Sequence, residues 1–318
     1  MPGRVAGAAL AALFLATFLV LVTRHGSAGQ AAAVTADRVI APLAGQPPVV
    51  LAQAAGDPLA RGAALLDRGD AAGALRDFRA LQATGDPRVP VAVAVAEWTR
   101  RDVAGSVARV ARLALARDAS PFARYEHGVV LTWSGRLSQA TRVLRPLALA
   151  MPDDFYGVKA DDLLHPSMLP KYPPFFPSAS EPAGATLASL RAAAEHAAGD
   201  IEAQLQYGAA LAVAGRRRDA LAYYRRALAA APTSVEARVA VAVGGFAKDN
   251  PAQTFGIVGP LVRDNPTDPV PRFHLGLMLL WIRDDQQAKA EFAQVARSAP
   301  ASRLGRLAAL FRDGSPGP

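Results

Sequence analysis

LQYGAALAVAGRRRDALAYYRRALAAAP, residues Leu205 to Pro232, decides the fold. Ala, Leu and Arg dominate it, and all three are strong helix formers. Apolar or small residues recur at helical spacing: Leu205, Gly208, Ala209, Leu211 and Ala212, then Ala220, Leu221, Tyr224, Ala227 and Leu228. Gly215 ends the first run, because glycine tolerates the positive φ of a helix C-terminus. Pro232 ends the second, because proline cannot continue a helix. Gly208, Ala220 and Ala227 are small enough to let two backbones approach, and Tyr224 is large enough to fill the gap beside them. The stretch predicts a helical hairpin, which is a unit of a stacking scaffold and not a catalytic site.

Working outward, the same frame recurs. Gly128, Leu131, Gly135, Ala140, Leu144, Leu147 and Pro152 repeat it. Gly276, Leu279, Ala288, Phe292 and Pro300 do so with Arg283 where Gly is usual, and Gly62, Leu65, Gly69, Ala74 and Phe78 do so with Pro87 one residue late. Ala242, Val258, Leu261 and Pro266 form a weaker unit with Thr254 at the Ala position, and Ala108, Leu115 and Pro121 mark the poorest. Pro232, Pro266 and Pro300 are spaced 34 residues apart. Over roughly residues 57–300 the pattern resembles the tetratricopeptide repeat, a 34-residue helix–turn–helix unit. That resemblance implies an all-α, right-handed superhelical solenoid of about seven helix hairpins, and adaptor roles for it.

The repeat blocks are expected at 57–152 and 200–300. Between Pro152 and Pro232 the period fails. Asp153–Leu164 and Ala185–Ala198 are expected as the two helices of one unit (153–199), separated by a proline-rich insert spanning 166–183. The insert cannot be a helix interior. It carries Tyr172, Phe175 and Phe176, too apolar to hang in water. It is expected either as a local cover over the helices it joins, the simpler reading, or as an extended proline-rich segment lying in the groove of the solenoid. Residues 301–312 are expected as a helix capping the array, with a polar outer face, and 313–318 as a disordered tail.

Val5 to Thr23 contains 19 uncharged, mostly apolar residues, about one hydrocarbon thickness as a helix. Residues 1–24 therefore read as a transmembrane anchor, with a cleaved signal sequence as the alternative. The flanking charges, Arg4 before and Arg24 after, orient it only softly. An N-terminal start favours the body outside the cytoplasm, at the outer face of the membrane, or secreted or periplasmic after cleavage. Residues 25–56, rich in Ala, Gly, Gln and Pro, read as a flexible spacer.

The chain has no Cys, so thiolate metal sites, disulfides and Cys nucleophiles are excluded. Its five His show no metal-ligand spacing, and no phosphate-binding glycine loop or nucleophile turn occurs. No catalytic, cofactor or metal residue is assigned, and the chain is not expected to be an enzyme. The net charge of +8 comes almost wholly from Arg. With the high Ala, Gly and Pro content, that fits a GC-rich coding bias better than a nucleic-acid footprint. The cluster Arg216–Arg218 with Arg225 and Arg226 is expected on a solvated face, with an anionic lipid or acidic partner as the alternative.

One echo goes beyond the repeat. Arg124-Tyr125-x-x-Gly128 with Trp133 matches Arg272-Phe273-x-x-Gly276 with Trp281, at an offset of 148 throughout. In the resembled family these positions line the concave groove. Tyr125, Val129, Trp133, Phe273, Leu277 and Trp281 are therefore the candidate partner-binding residues, since Trp is a common interface anchor. The competing reading is that the rings pack on neighbouring units. The Lys and Asn clamp with which the family grips peptide carboxylates is absent from the equivalent positions. An apolar or extended peptide, or a protein presenting one, is the expected partner. The expected function is a protein- or peptide-binding scaffold or assembly factor, with a self-assembling structural envelope protein as the alternative.

Overall fold

A computed structural model describes residues 43, 45–53, 55–197 and 199–314. The sequence expectations for residues 1–42, including the anchor, and for residues 315–318 lie outside the described residues. Among the described residues no helix is long and apolar enough to cross a membrane. They contain fifteen α-helices, one short 3-10 turn (Gln82–Thr84) and no strand.

The chain divides between Leu164 and His165 into two compact units. The N-terminal unit holds α1 (Ala60–Asp67), α2 (Ala71–Ala80), α3 (Val89–Ala96), α4 (Val103–Ala114), α5 (Pro121–Trp133), α6 (Leu137–Ala150) and α7 (Phe155–Leu164). The C-terminal unit holds α8 (Leu187–His196), α9 (Ile201–Val213), α10 (Arg217–Ala230), α11 (Val235–Gly244), α12 (Pro251–Asp264), α13 (Pro269–Trp281), α14 (Asp285–Ser298) and α15 (Arg303–Gly314). In each unit consecutive helices pack as hairpins. The first helices of successive hairpins also touch one another: α3 on α5 and α5 on α7, then α9 on α11, α11 on α13 and α13 on α15. Each unit thus presents a wall of first helices.

The hairpins close for the reason the pattern suggests. A Cβ added at Gly62 would come within 2.3 Å of the Phe78 ring, and one at Gly208 within 2.5 Å of Tyr224. At Gly128 it would meet Leu144 at 2.2 Å, and at Gly276 the Phe292 ring at 2.9 Å. In all four hairpins a large side chain sixteen residues on packs directly against a bare glycine. Phe78, Leu144, Tyr224 and Phe292 are each at most 1 % exposed as a result.

The punctuation also agrees. Ser120 Oγ accepts the Ala123 N–H at 3.2 Å, and Asp268 Oδ1 accepts that of Val270 at 2.9 Å, capping α5 and α13. Gly69, Gly135 and Gly215 leave their helices at positive φ (82°, 75° and 78°). Arg283, standing where glycine is usual, adopts the same turn at φ 65°. Asp57 does not cap α1. Its carboxylate accepts the Leu59 N–H, but α1 begins only at Ala60, so it forms a turn before the helix and not its cap.

The middle of the chain is organised otherwise than expected. Asp153–Leu164 and Ala185–Ala198 do not enclose an insert within one repeat. The first yields α7, which packs on α5 and α6 and closes the N-terminal unit. The second yields α8, which packs on α9 and opens the C-terminal unit. The 34-residue count fails here because the stretch is a seam between two units. The described residues hold six hairpins and three single helices, α7, α8 and α15. The last closes the C-terminal unit, with Phe311 stacked on Phe292 at 5.2 Å.

Gly208→Ala is expected to destabilise the chain by about 1–3 kcal/mol, because Tyr224 must leave its place and is also hemmed in by Gly244. Arg283→Gly is expected to stabilise it by up to about 1 kcal/mol, by removing a left-handed non-glycine residue. Urea denaturation followed by circular dichroism measures both.

Candidate functional site

In the C-terminal unit the wall of first helices is covered by the chain's own proline-rich segment, residues 167–180, called here the strap. It runs antiparallel to α13. Leu169 donates its N–H to the Trp281 carbonyl at 2.8 Å, and the Trp281 indole Nε1 donates to Lys171 O at 3.3 Å. Further along, Phe176 donates its N–H to His274 Nε2 at 3.0 Å. Ser178 donates both N–H and Oγ–H to the Glu236 carboxylate at 2.6 and 2.7 Å. Gln206 Nε2 donates to Ser180 O at 3.2 Å, and Arg303 donates to the carbonyls of Pro177 and Ala179. The partners come from α9, α11, α13 and α15.

The apolar contacts follow the same line. Phe175 stacks on His274 with centroids 4.8 Å apart and meets Tyr224 edge-on at 5.2 Å. Phe176 stands edge-on to Phe273 at 5.7 Å and to Phe311 at 6.3 Å. Leu169 and Phe175 are almost wholly buried, a burial that contributes about 1.5–3 kcal/mol per side chain. Tyr172 is half-buried beneath a cation: the Arg217 guanidinium lies 4.0 Å from its ring centroid, and Lys248 Nζ lies 5.5 Å away. Arg217 of the basic cluster is therefore half-buried against the strap, whereas Arg216, Arg218, Arg225 and Arg226 are exposed as expected.

The strap is bent. Leu169 and Phe176 are seven residues apart and meet α13 at positions seven residues apart. That is about 10 Å of helix, against more than about 20 Å for seven stretched residues. Lys171, at φ 61°, supplies the bend. Of the two readings of this segment, the structure shows the one in the groove and not the local cover. It also corrects the expected extended form to a hooked one.

The N-terminal unit has a strap too, in residues expected to be flexible spacer. Leu43 donates its N–H to the Trp133 carbonyl at 2.8 Å, and Val50 donates its N–H to Glu126 Oε1 at 2.8 Å. Gln46 Nε2 donates to Ala96 O at 3.0 Å, Val49 is buried, and Gly45 turns at φ 79°. The partners here come from α3 and α5.

The six residues singled out as groove lining stand on these walls, but the groove is not open. Tyr125, Val129, Phe273, Leu277 and Trp281 are buried, and Trp133 is half-buried. Tyr125 packs toward the Tyr156 ring of α7 at 5.8 Å. Trp133 and Trp281 serve the straps chiefly through their backbone carbonyls. Two residues that matter were not singled out, Glu126 and His274, which accept the second strap N–H in each unit. A visible signal marked them: each is a titratable group set among apolar residues in the middle of a first helix.

Both are wholly buried. His274 Nδ1 lies 2.7 Å from the Val270 carbonyl, to which it donates, so Nε2 is the acceptor and the ring is neutral. Burial lowers its pKa to about 4, against the Val270 bond and with the nearby Arg303 charge assisting. Burial pushes the Glu126 carboxyl up to about 8, partly offset by the Val50 N–H. Its Oε2 has no hydrogen-bond partner among the described residues. Burial also lowers the His127 pKa.

No family model matches the chain, and no curated protein matches it. Among solved structures, the crystal structure of the C-terminal part of a TPR repeat-containing protein from Cytophaga hutchinsonii pairs with 79 % of this chain and 98 % of its own. The identity is 13 % and the TM-score 0.26, too low to carry an argument, so the functional reading rests on the chain's own geometry.

The two acceptors give opposite pH dependences. His274 binds its proton more weakly folded than unfolded, so stability is full above about pH 6.5 and falls as pH drops toward 4, by up to about 3 kcal/mol. Glu126 binds its proton more tightly folded, so its contribution is full below about pH 4.5 and is lost as pH rises through 8. His274→Gln is expected to flatten the fall on the acid side, and Glu126→Gln the fall between about pH 4.5 and 8, each keeping an acceptor for the strap. Urea titrations from pH 4 to 9 measure this. An unchanged slope in either variant contradicts the assignment.

Proposed function

We propose that the protein is a non-catalytic scaffold of tetratricopeptide type that binds a segment of another protein in the groove formed by the first helices of each unit. The observation that carries this reading is the strap of the C-terminal unit. Backbone N–H groups and carbonyls along it find partners on α9, α11, α13 and α15, and its two Phe rings pack on aromatic rings of the unit. A surface that satisfies a segment's backbone and stacks its rings is equipped to recognise polypeptide. Aromatic anchors with few side chain-specific polar contacts are the chemistry of peptide grooves. The residues assigned are Tyr125, Val129 and Trp133 in one wall and Phe273, Leu277 and Trp281 in the other, together with Glu126 and His274. The right-handed superhelical course belongs to the same reading.

The location in this proposal comes from sequence. Val5–Thr23 would anchor the chain in the cytoplasmic membrane with the repeats outside, or direct secretion if cleaved. The proposed partner is protein, not nucleic acid. A second reading has its own observation: both grooves are already filled by the chain, which is what a structural, self-assembling envelope protein with no transient ligand would show.

Site-specific photo-crosslinking in intact cells decides between them. The probe is placed at Tyr172, at Trp133, and at Arg225 on the exposed face of α10 as a control. Binding predicts adducts with a distinct polypeptide from the first two positions and none from the third. Adducts confined to the chain itself favour the structural reading. Protease added outside spheroplasts is expected to cleave the repeats, and their protection would overturn the location.

A further inference from the structure

The two straps are the same device built twice. Leu43-x-x-x-Pro47-Pro48-Val49-Val50 and Leu169-x-x-x-Pro173-Pro174-Phe175-Phe176 share one pattern, Leu-x-x-x-Pro-Pro-Φ-Φ, where Φ is apolar. In each, the Leu N–H goes to the carbonyl of the Trp that ends the wall helix, at 2.8 Å in both. In each, the second Φ gives its N–H to the side chain seven positions before that Trp: Glu126 in one unit, His274 in the other. In each, the third residue turns at positive φ (79° at Gly45, 61° at Lys171), and the first Φ is buried.

The walls are duplicated too. α5, α6 and the start of α7 correspond to α13, α14 and the start of α15 at a constant offset of 148. At the turn into the last helix, a Cβ on Gly157 would fall 1.8 Å from the Met151 carbonyl, and one on Gly305 would fall 1.9 Å from that of Ala299. The walls therefore read the same features although the side chains filling them differ, Val in one groove and Phe in the other. What is shared is a specification of the ligand.

We infer that each groove is a recognition site for a hooked Leu-x-x-x-Pro-Pro-Φ-Φ segment, that each strap is an internal copy of that ligand, and that a partner protein engages the site by presenting the same pattern in place of the strap. The inference rests on the binding-scaffold reading and specifies its ligand. The chemistry suits exchange. Four prolines of the C-terminal strap (Pro170, Pro173, Pro174 and Pro177) bring no N–H, so few donors need a partner in either state. Proline also limits the freedom that a free segment must lose on docking. Lys171 holds a left-handed turn that glycine adopts without strain, so a segment with Gly there, as in the other strap, fits this groove better. The strap's advantage is its tether, which acts as an effective concentration in the millimolar range.

The test uses the full-length chain in detergent and a fluorescent peptide, SMLPKYPPFFPSA, identical to residues 167–179. In a Phe175→Ser/Phe176→Ser variant, checked for folding by circular dichroism, the groove loses its tethered competitor. The peptide is expected to raise anisotropy at least tenfold more tightly with this variant than with the wild type. A scrambled peptide, or one with both central prolines changed to glycine, is expected to bind at least tenfold more weakly. Glycine in place of the peptide's lysine is expected to tighten binding severalfold. A folded variant that ignores the peptide, or binds the scrambled one equally, overturns the inference.

If the double variant does not fold, the wild type answers by hydrogen exchange. Millimolar peptide is expected to speed exchange at Phe175 and Phe176 and leave the α13 amides unchanged, and no change overturns the inference. A library of unrelated peptides separates the two proposals. If library peptides bind the variant and the strap peptide does not, the recognition rule falls and the scaffold reading stands. If no peptide binds, both fall. If light scattering shows that the variant only dimerises, with the peptide ignored, the occupant is a second copy and the partner in this inference is overturned.

Discussion

The contact between a bare glycine and a large side chain sixteen residues later governs the rest of the structure. At Gly208 and Tyr224 the approach is so close that no Cβ fits, and the same holds at Gly62, Gly128 and Gly276. Closing the two helices of a hairpin this tightly lets the first helices of successive hairpins touch. The wall they form is what a strap can lie on. Tyr224 links the levels directly: it fills the space over Gly208, is closed in by Gly244 of the next hairpin, and meets Phe175 of the strap edge-on. Its hydroxyl is buried with no hydrogen-bond partner among the described residues, so ring packing holds this point.

Polar groups are placed where packing alone would leave the strap undirected. Buried donors and acceptors that lack partners are costly, so each paired one fixes a register. One N–H at the start of each strap and one seven residues later are paired in both units. Between them lie prolines, which need no donor satisfied, and one left-handed residue, which turns the chain. Such a segment can be held firmly in register while lying in no sheet or helix.

The hairpins were legible in the sequence because helical periodicity, a terminal glycine and a closing proline each have a local cause. Arg283 was legible as an oddity, and it takes the glycine conformation without being glycine. The straps were harder to read. A segment without a period gives no sign of which surface it covers, so residues 43–53 read as spacer and 167–180 as an insert. The seam at Leu164 and His165 was hidden for the same reason: a count of 34-residue units cannot distinguish an interrupted repeat from the end of one unit and the start of the next. The offset of 148 linking Trp133 with Trp281 was visible. Following it to Glu126 and His274, and then to the two Leu-x-x-x-Pro-Pro-Φ-Φ segments, leads to the grooves.

The central claim is that the proline-rich segments lie in the grooves as hydrogen-bonded ligands. Amide hydrogen exchange resolved to single residues tests it most directly in the unmodified protein. The account requires slow exchange at the Leu43, Val50, Leu169 and Phe176 amides, and fast exchange at the amide of the exposed Ala183 beyond the second strap. Uniformly fast exchange across residues 43–53 and 167–180, with the helices protected, would mean that the grooves stand open and would contradict the account.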